Sequence, residues 1–246
     1  VLLMIHFIAE SREELGKAAA EKFCQEAMHK LQSREVINVI FAAAPSQHEF
    51  LQHLCVSGLD WTRINAFHMD EYIGLPADAP RSFGNFLKTH LFDKVNFKAV
   101  HFINGNATDA QAECIRYTDL LEQYPVDIVC MGIGENGHLA FNDPPVANFN
   151  DPYMVKVVEL EEACRIQQVN DNCFEKIEQV PTHAITLTIP ALLRADYISC
   201  VVPGKRKAAA VYNTLHKEII SAYPSAILRT HNYTVLFTDR ESCTGS

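Results

Sequence analysis

The chain has 246 residues, 48% hydrophobic and 21% charged, with a formal net charge of −9. That length and apolar content suffice for one sizeable core. The acidic balance argues against a nucleic-acid partner, which demands a basic face, and no run approaches the ~20 apolar residues of a membrane helix. Eight cysteines are scattered without a Cys-x-x-Cys pair. Cys130 and Cys200 sit in apolar runs, as reduced core thiols of a cytoplasmic protein would, whereas Cys164 and Cys173 fall in a polar region and are expected nearer the surface. His48 and His53, five apart, lie on different faces of a helix, so no metal site is expected.

Val1–Ile8 is apolar without a basic leader or a small-residue cleavage site and reads as a first strand. Ser11-Arg-Glu-Glu14 is a capping box opening a helix to about Ser33, with Leu15, Ala18, Ala19 and Phe23 on one face. Val36–Ala44 is a strand, and the turn after it leads into a helix carrying Phe50, Leu51, Leu54 and Cys55. Ser46, three residues before Glu49, has the spacing of a capping-box N-cap. The same turn suits an anion held by backbone N–H groups, including that of Ala44, and by the Ser46 hydroxyl.

Thr62–Met69 is the next strand, followed at once by Asp70-Glu-Tyr72. Adjacent carboxylates at a strand end point to different sides, so at most one faces a given pocket. A loop at Pro76–Pro80 precedes a helix over Arg81–Phe92, a strand over Ala99–Asn104 and a helix over Asp109–Tyr124. Ile128–Ile133 is a continuous apolar run, as expected of a strand buried on both faces of a parallel sheet. It runs into a turn punctuated by Gly132, Gly134 and Gly137 and carrying His138, Asn142 and Asp143. Ligands of open α/β sheets bind at that end of the strands, and a histidine five residues before a carboxylate has the makings of an acid/base pair. A plain βα turn with a hydrogen-bonded histidine has the same composition.

Met154–Leu160 reads as a strand and Glu161–Phe174 as a polar helix or flap containing Arg165, so that a lid is expected at about 146–178. Pro181–Ile189 contains a strand, Pro190 starts a short helix, and Tyr197–Val202 is another strand. Pro203-Gly-Lys-Arg-Lys207 then opens a helix over Ala208–Ile220, before a last strand at Thr234–Asp239. Three cations at a helix start oppose the macrodipole, which a bound anion would offset. Alternating strands and helices without an internal repeat or linker imply a single Rossmann-like, doubly wound α/β/α sandwich with a mostly parallel central sheet, spanning 1–246.

Anion-binding turns near a carboxylate and a histidine suggest a phosphorylated small molecule undergoing proton transfer. The stretches Met69-Asp-Glu-Tyr-Ile-Gly-Leu-Pro76 and Gly132-Ile-Gly-Glu-Asn-Gly-His-Leu-Ala-Phe-Asn-Asp-Pro144, with Gln179-Val-Pro181, Ala184-Ile-Thr-Leu-Thr188 and Pro203–Lys207, resemble the glucosamine-6-phosphate deaminase (isomerase) family over most of the chain. The resemblance implies conversion of a 2-amino-2-deoxyhexose 6-phosphate to a ketohexose 6-phosphate with loss of ammonia, without metal or organic cofactor. Asp70 matches the base that moves a proton from C2 to C1, and His138 the ring-opening group. Ser46 in its turn, Arg165 and Lys207 match phosphate ligands.

The chain departs from the family pattern at several positions. Its phosphate turn, Ala42-Ala-Ala-Pro-Ser46, lacks the usual glycines. Asp143 stands where Glu is usual, and Asn136 where some members carry Asp, which suggests a shifted preference between gluco and galacto epimers. The chain ends soon after its last strand, which argues against the hexamer and the allosteric activation of longer relatives, while a smaller homo-oligomer stays open. Two rival readings are a 6-phosphogluconolactonase and a non-catalytic sugar-phosphate sensor; the Gly137-His-Leu-Ala-Phe-Asn142 element favours the deaminase over the first.

Overall fold

The computed structural model describes residues 4–244. Seven parallel strands form the central sheet: β1 (Ile5–Ala9), β10 (Thr234–Asp239), β9 (Tyr197–Val202), β6 (Ile128–Met131), β2 (Ile37–Phe41), β3 (Ile64–His68) and β5 (Ala99–His101), in that spatial order. Val1–Leu3 of the expected first strand lie outside the described residues. The doubly wound sandwich expected from the alternating pattern is therefore present. Successive side chains on the central strands feed opposite cores, as a pleated strand buried on both faces requires. Ile128 and Cys130 of β6 belong to one apolar cluster, and Val129 and Met131 to the other.

Helix α1 (Arg12–Leu31) begins where the Ser11 Oγ accepts the Glu14 N–H at 3.2 Å. It buries Leu15, Ala19, Phe23 and Ala27 and packs against α2 (His48–Cys55) on the first face. Cys130 and Cys200 are buried as expected. Cys24, Cys55, Cys114, Cys130, Cys164, Cys173 and Cys200 are free thiols. Among the described residues no helix is long and apolar enough to cross a membrane.

Several elements differ from the expectations. The chain does not turn at Asp70; it breaks direction at Met69 and continues as β4 (Asp70–Tyr72), which joins a second, antiparallel sheet with β8 (His183–Leu187) and β7 (Val155–Glu159). Asp70 pairs in register with Thr186. The helix expected over Arg81–Phe92 is a short α3 (Phe83–Leu87) followed by a wide π turn over Lys88–Phe92. After α4 (Ala110–Gln123), α5 (Glu162–Asn170) and α6 (Ile189–Leu192), α7 covers Ala208–His216 and stops short of Ile220. A 3-10 segment at Pro224–Thr230 had no counterpart in the sequence reading.

The antiparallel sheet is pinned to the main body by a close backbone approach. The Gly74 N–H donates to the Gly105 carbonyl at 3.0 Å. A Cβ on Gly105 would meet the Tyr72 carbonyl oxygen at 2.0 Å. Gly105→Ala must therefore push β4 aside. We expect it to cost about 1–3 kcal/mol, the usual range for overpacking, read as a lower urea midpoint with an unchanged m-value. A wild-type midpoint would contradict this account of how β4 is fixed.

Candidate active site

The sheet order places a topological switch between β2 and β6: β2, β3 and β5 run out to one edge, and β6, β9 and β10 run towards the other. Ligands of open α/β sheets bind at such a switch. One pocket opens there, lined by Ala42–Ser46 after β2, by Met69 and Asp70 at the β3–β4 break, and by Gly132–Gly134, His138, Ala140 and Phe141 after β6. Lys207 after β9, with Gln167, Gln168 and Asp171 from α5 and its end, completes it. Asp70 and the Gly132–Asp143 turn thus meet even though β2 separates their strands.

The β6 turn is folded by glycines and by side-chain staples. Gly137 has φ +87° and Ala140 φ +50°, both left-handed. The Asn142 side-chain amide donates to the Leu139 and Leu187 carbonyls, each at 2.8 Å. Gly134 lies under the imidazole, where a Cβ would fall 2.1–2.4 Å from the His138 ring.

The His138 Nδ1 is 2.8 Å from Asn136 Oδ1 and 3.1 Å from Asp143 Oδ1. Asn136 Nδ2 itself donates to Asp143 Oδ1 at 2.7 Å, which fixes which end of its amide is the acceptor. Both neighbours of Nδ1 are therefore acceptors, so Nδ1 carries the proton and the Nε2 lone pair is left for the pocket. Asn136 is not merely a neutral stand-in: its carbonyl orients the ring and its amide ties down Asp143. Burial alone would raise the Asp143 carboxyl, but the hydrogen bonds it receives from His138 and Asn136 outweigh it and hold the group below its ordinary range.

Asp70 and Glu71 point apart, as adjacent residues on a strand must. Glu71 turns away to accept N–H groups of Tyr72, Phe83 and Gly84 at 2.9–3.0 Å, capping the start of α3. Asp70 lines the pocket and is 7% exposed. Burial, and secondarily the Glu71 charge, push its carboxyl well above the ordinary range.

Ser46 and Lys207 line the same pocket. The expected capping box is not made. Ala44, not Ser46, occupies the N-cap of the 3-10 turn Pro45–Gln47, and Glu49 is taken by the Arg12 guanidinium at 3.0 Å. The Ser46 Oγ accepts from Gln47 Nε2 at 3.3 Å and lies beside Gly132. The three cations expected to share one helical turn separate. Lys205 is exposed, whereas Arg206 donates to the Asn170 carbonyl at 2.7 Å and to Asp171 at 2.6 Å. Lys207 is 7% exposed, and no carboxylate of the described residues pairs with its ammonium. Burial lowers the Lys207 pKa, with Asp171 and Glu135 opposing.

Arg165 is not brought to the pocket. It donates to the Ile177 and Val180 carbonyls at 2.8 and 3.0 Å and lines a separate groove beside Glu159, Glu161, Glu162 and Glu178. The same helix instead presents Gln167 and Gln168, both buried, and the Gln167 Oε1 accepts the Glu135 N–H at 2.7 Å. Their spacing from Cys164, three and four residues, was the available signal. Cys164 is itself buried at 1% exposure, against the expectation from its polar surroundings. Among the described residues one group has metal-ligand chemistry at close range: the ligand atoms of His138, Asp143 and Cys164 lie within 4.8 Å of one another. Burial and the Asp143 charge keep the Cys164 thiol protonated, which makes it a poor metal ligand.

Comparison with known proteins supplies the family. The model for glucosamine-6-phosphate isomerases/6-phosphogluconolactonase matches residues 10–237. A glucosamine-6-phosphate deaminase of Bacillus cereus is 40% identical over 184 residues, covering 75% of this chain and 68% of that protein. The solved structure of a monomeric glucosamine-6-phosphate deaminase superposes with a TM-score of 0.89 at 29% identity, over 98% of this chain and 99% of that one. A 6-phosphogluconolactonase from Thermotoga maritima shares the fold, with a TM-score of 0.78 at 20% identity over 96% and 100% of the two chains. The chain belongs to the glucosamine-6-phosphate isomerase/6-phosphogluconolactonase family.

Proposed function

We infer that the protein is a glucosamine-6-phosphate deaminase, converting an amino-sugar 6-phosphate to a ketohexose 6-phosphate and ammonia. The observation that carries this reading is one pocket holding a buried carboxyl, an oriented imidazole with a free Nε2, and a buried ammonium without an anionic partner. Lys207 and the Ser46 turn suit the phosphate. With the phosphate there, the sugar's C1–C2 end lies towards Asp70 and His138. His138 Nε2 takes the C1 hydroxyl proton and returns it to the ring oxygen, opening the ring. Asp70, made more basic by burial, then takes the C2 proton and delivers it to C1 through an enolamine. Water replaces the amine at C2, and ammonia leaves. Asn136 and Asp143 hold the imidazole in its productive tautomer. Arg165 remains a phosphate ligand only if α5 and its flanks (146–178) rearrange as a cover on binding.

The direct test is ammonia release from glucosamine 6-phosphate and galactosamine 6-phosphate, with hydrolysis of 6-phosphogluconolactone measured in parallel. Ammonia release from either sugar, with no lactone hydrolysis, is expected. Lactone turnover without ammonia release would overturn the reading in favour of the lactonase branch. Sugar-phosphate binding without any turnover would favour a sensor.

Two variants separate the ends of the pocket. Lys207→Ala should raise KM for the amino-sugar phosphate far more than it lowers kcat; unchanged KM would remove Lys207 from the phosphate site. Asp70→Asn should lower kcat at least ~100-fold while leaving binding of an unreactive sugar phosphate intact.

The Asp70 variant also has a stability signature. A carboxyl whose folded pKa lies above its unfolded value of 3.8 contributes stability that is full below that value and is lost as pH rises through the folded pKa. At pH 8 Asp70→Asn should therefore be the more stable protein, by about 1 kcal/mol or ~2–4 °C in Tm. The gap should close towards pH 4. A variant less stable than wild type at pH 8 would contradict the desolvation argument.

A further inference from the structure

Asp143 is 0% exposed, and its two oxygens are unequally served. Oδ1 receives Asn136 and His138, but Oδ2 is buried and has no hydrogen-bond partner among the described residues. A buried carboxylate oxygen without a donor is costly. The Cys164 Sγ lies in the same buried cluster, within 4.8 Å of a carboxylate oxygen of Asp143 and a ring nitrogen of His138, and a small movement of the side chain brings its hydrogen to Oδ2. We propose that the Cys164 thiol donates to the second oxygen of Asp143 and acts as a positioning residue for the His138–Asp143 pair, so that docking of α5 completes the ring-opening group.

The helix supports this assignment independently of the thiol. Cys164, Gln167 and Gln168 stand three and four residues apart on one face of α5, and all are buried. Gln167 accepts the Glu135 N–H, in the same turn that carries His138. Arg206 grips the Asn170 carbonyl and Asp171 at the far end of the helix. The inner face of α5 is thus tied to the β6 turn through Gln167 and its end to the segment after β9 through Arg206. The thiol is suited to donate because burial, and then the charges of Asp143 and Asp70, hold it protonated, with Lys207 opposing weakly. Those three charged groups, with His138 and the buried Tyr72, are the titratable groups near it. A thiol in that state is no nucleophile, which leaves hydrogen bonding as its chemistry.

The proposal rests on reading His138–Asp143 as the acid/base pair, and its test separates the two. Cys164→Ala should lower kcat for glucosamine 6-phosphate ~5- to 10-fold, the effect of one lost hydrogen bond from a weak donor, at near-constant KM. Its acidic pH–rate limb should move upward, because Asp143 loses a donor that favours its charged form. Cys164→Ser, which keeps a donor, should recover most of the rate. Equal losses in the Ala and Ser variants, or none in either, would overturn the proposal.

The contact itself is read in the infrared, from the S–H band isolated by subtracting the Cys164→Ser spectrum. That band should lie at lower frequency in the wild-type background than in Asp143→Asn. A band unmoved by Asp143→Asn would overturn the proposal even if the Ala variant failed to fold. The infrared result decides the contact even if the wild-type protein releases no ammonia.

Discussion

Burial keeps the Asp70 carboxyl well above its ordinary range, with the neighbouring Glu71 charge adding to the effect, and much of the surrounding architecture serves to hold it in that state. A carboxylate freely exposed at a strand end would be a weaker base towards a carbon-bound proton. One paired with a lysine would be weaker still. The fold avoids both outcomes. The break at Met69 sends Asp70 into a second sheet, in register with Thr186 and lining the same pocket as Phe141. Glu71 is pulled away by the amides that start α3, and the buried cation of the pocket, Lys207, makes no ion pair with Asp70.

The second constraint is the orientation of an imidazole. Two acceptors converge on the His138 Nδ1, and one of them, Asn136, is fixed by its own bond to the other. A charged residue at position 136 would place two carboxylates side by side around one buried proton. The amide avoids that repulsion and still supplies an acceptor. The shorter Asp143 costs nothing in reach here: its Oδ1 already lies 3.1 Å from the ring. Gly134 supplies the remaining condition, since any side chain there would occupy the space of the ring.

Much of this was legible in the residues. The apolar run of β6, the glycines after it, and the paired carboxylates at Asp70-Glu71 placed the pocket and its acid/base groups, because strand alternation and glycine turns are local properties. What could not be read depended on distant partners. Ser46 has capping-box spacing, yet Glu49 is claimed by Arg12 from another helix. Arg165 looked like a phosphate ligand, but carbonyls of the 177–180 segment hold it outside the pocket. Lys205, Arg206 and Lys207 are adjacent in the chain and yet face solvent, the end of α5 and the pocket respectively. The strand at Asp70–Tyr72 was hidden because its pairing partner lies more than a hundred residues away.

The claim at the centre of this account is that one buried carboxyl takes the proton from C2 and returns it to C1. It is tested most directly with glucosamine 6-phosphate carrying deuterium at C2, by measuring the label at C1 of the ketose product made in ordinary water. A carboxyl only 7% exposed, in a pocket also lined by Gln167 and Gln168 of α5, exchanges slowly with solvent, so a substantial fraction of the deuterium should appear at C1. Complete replacement by solvent hydrogen, with turnover persisting in Asp70→Asn, would contradict the account.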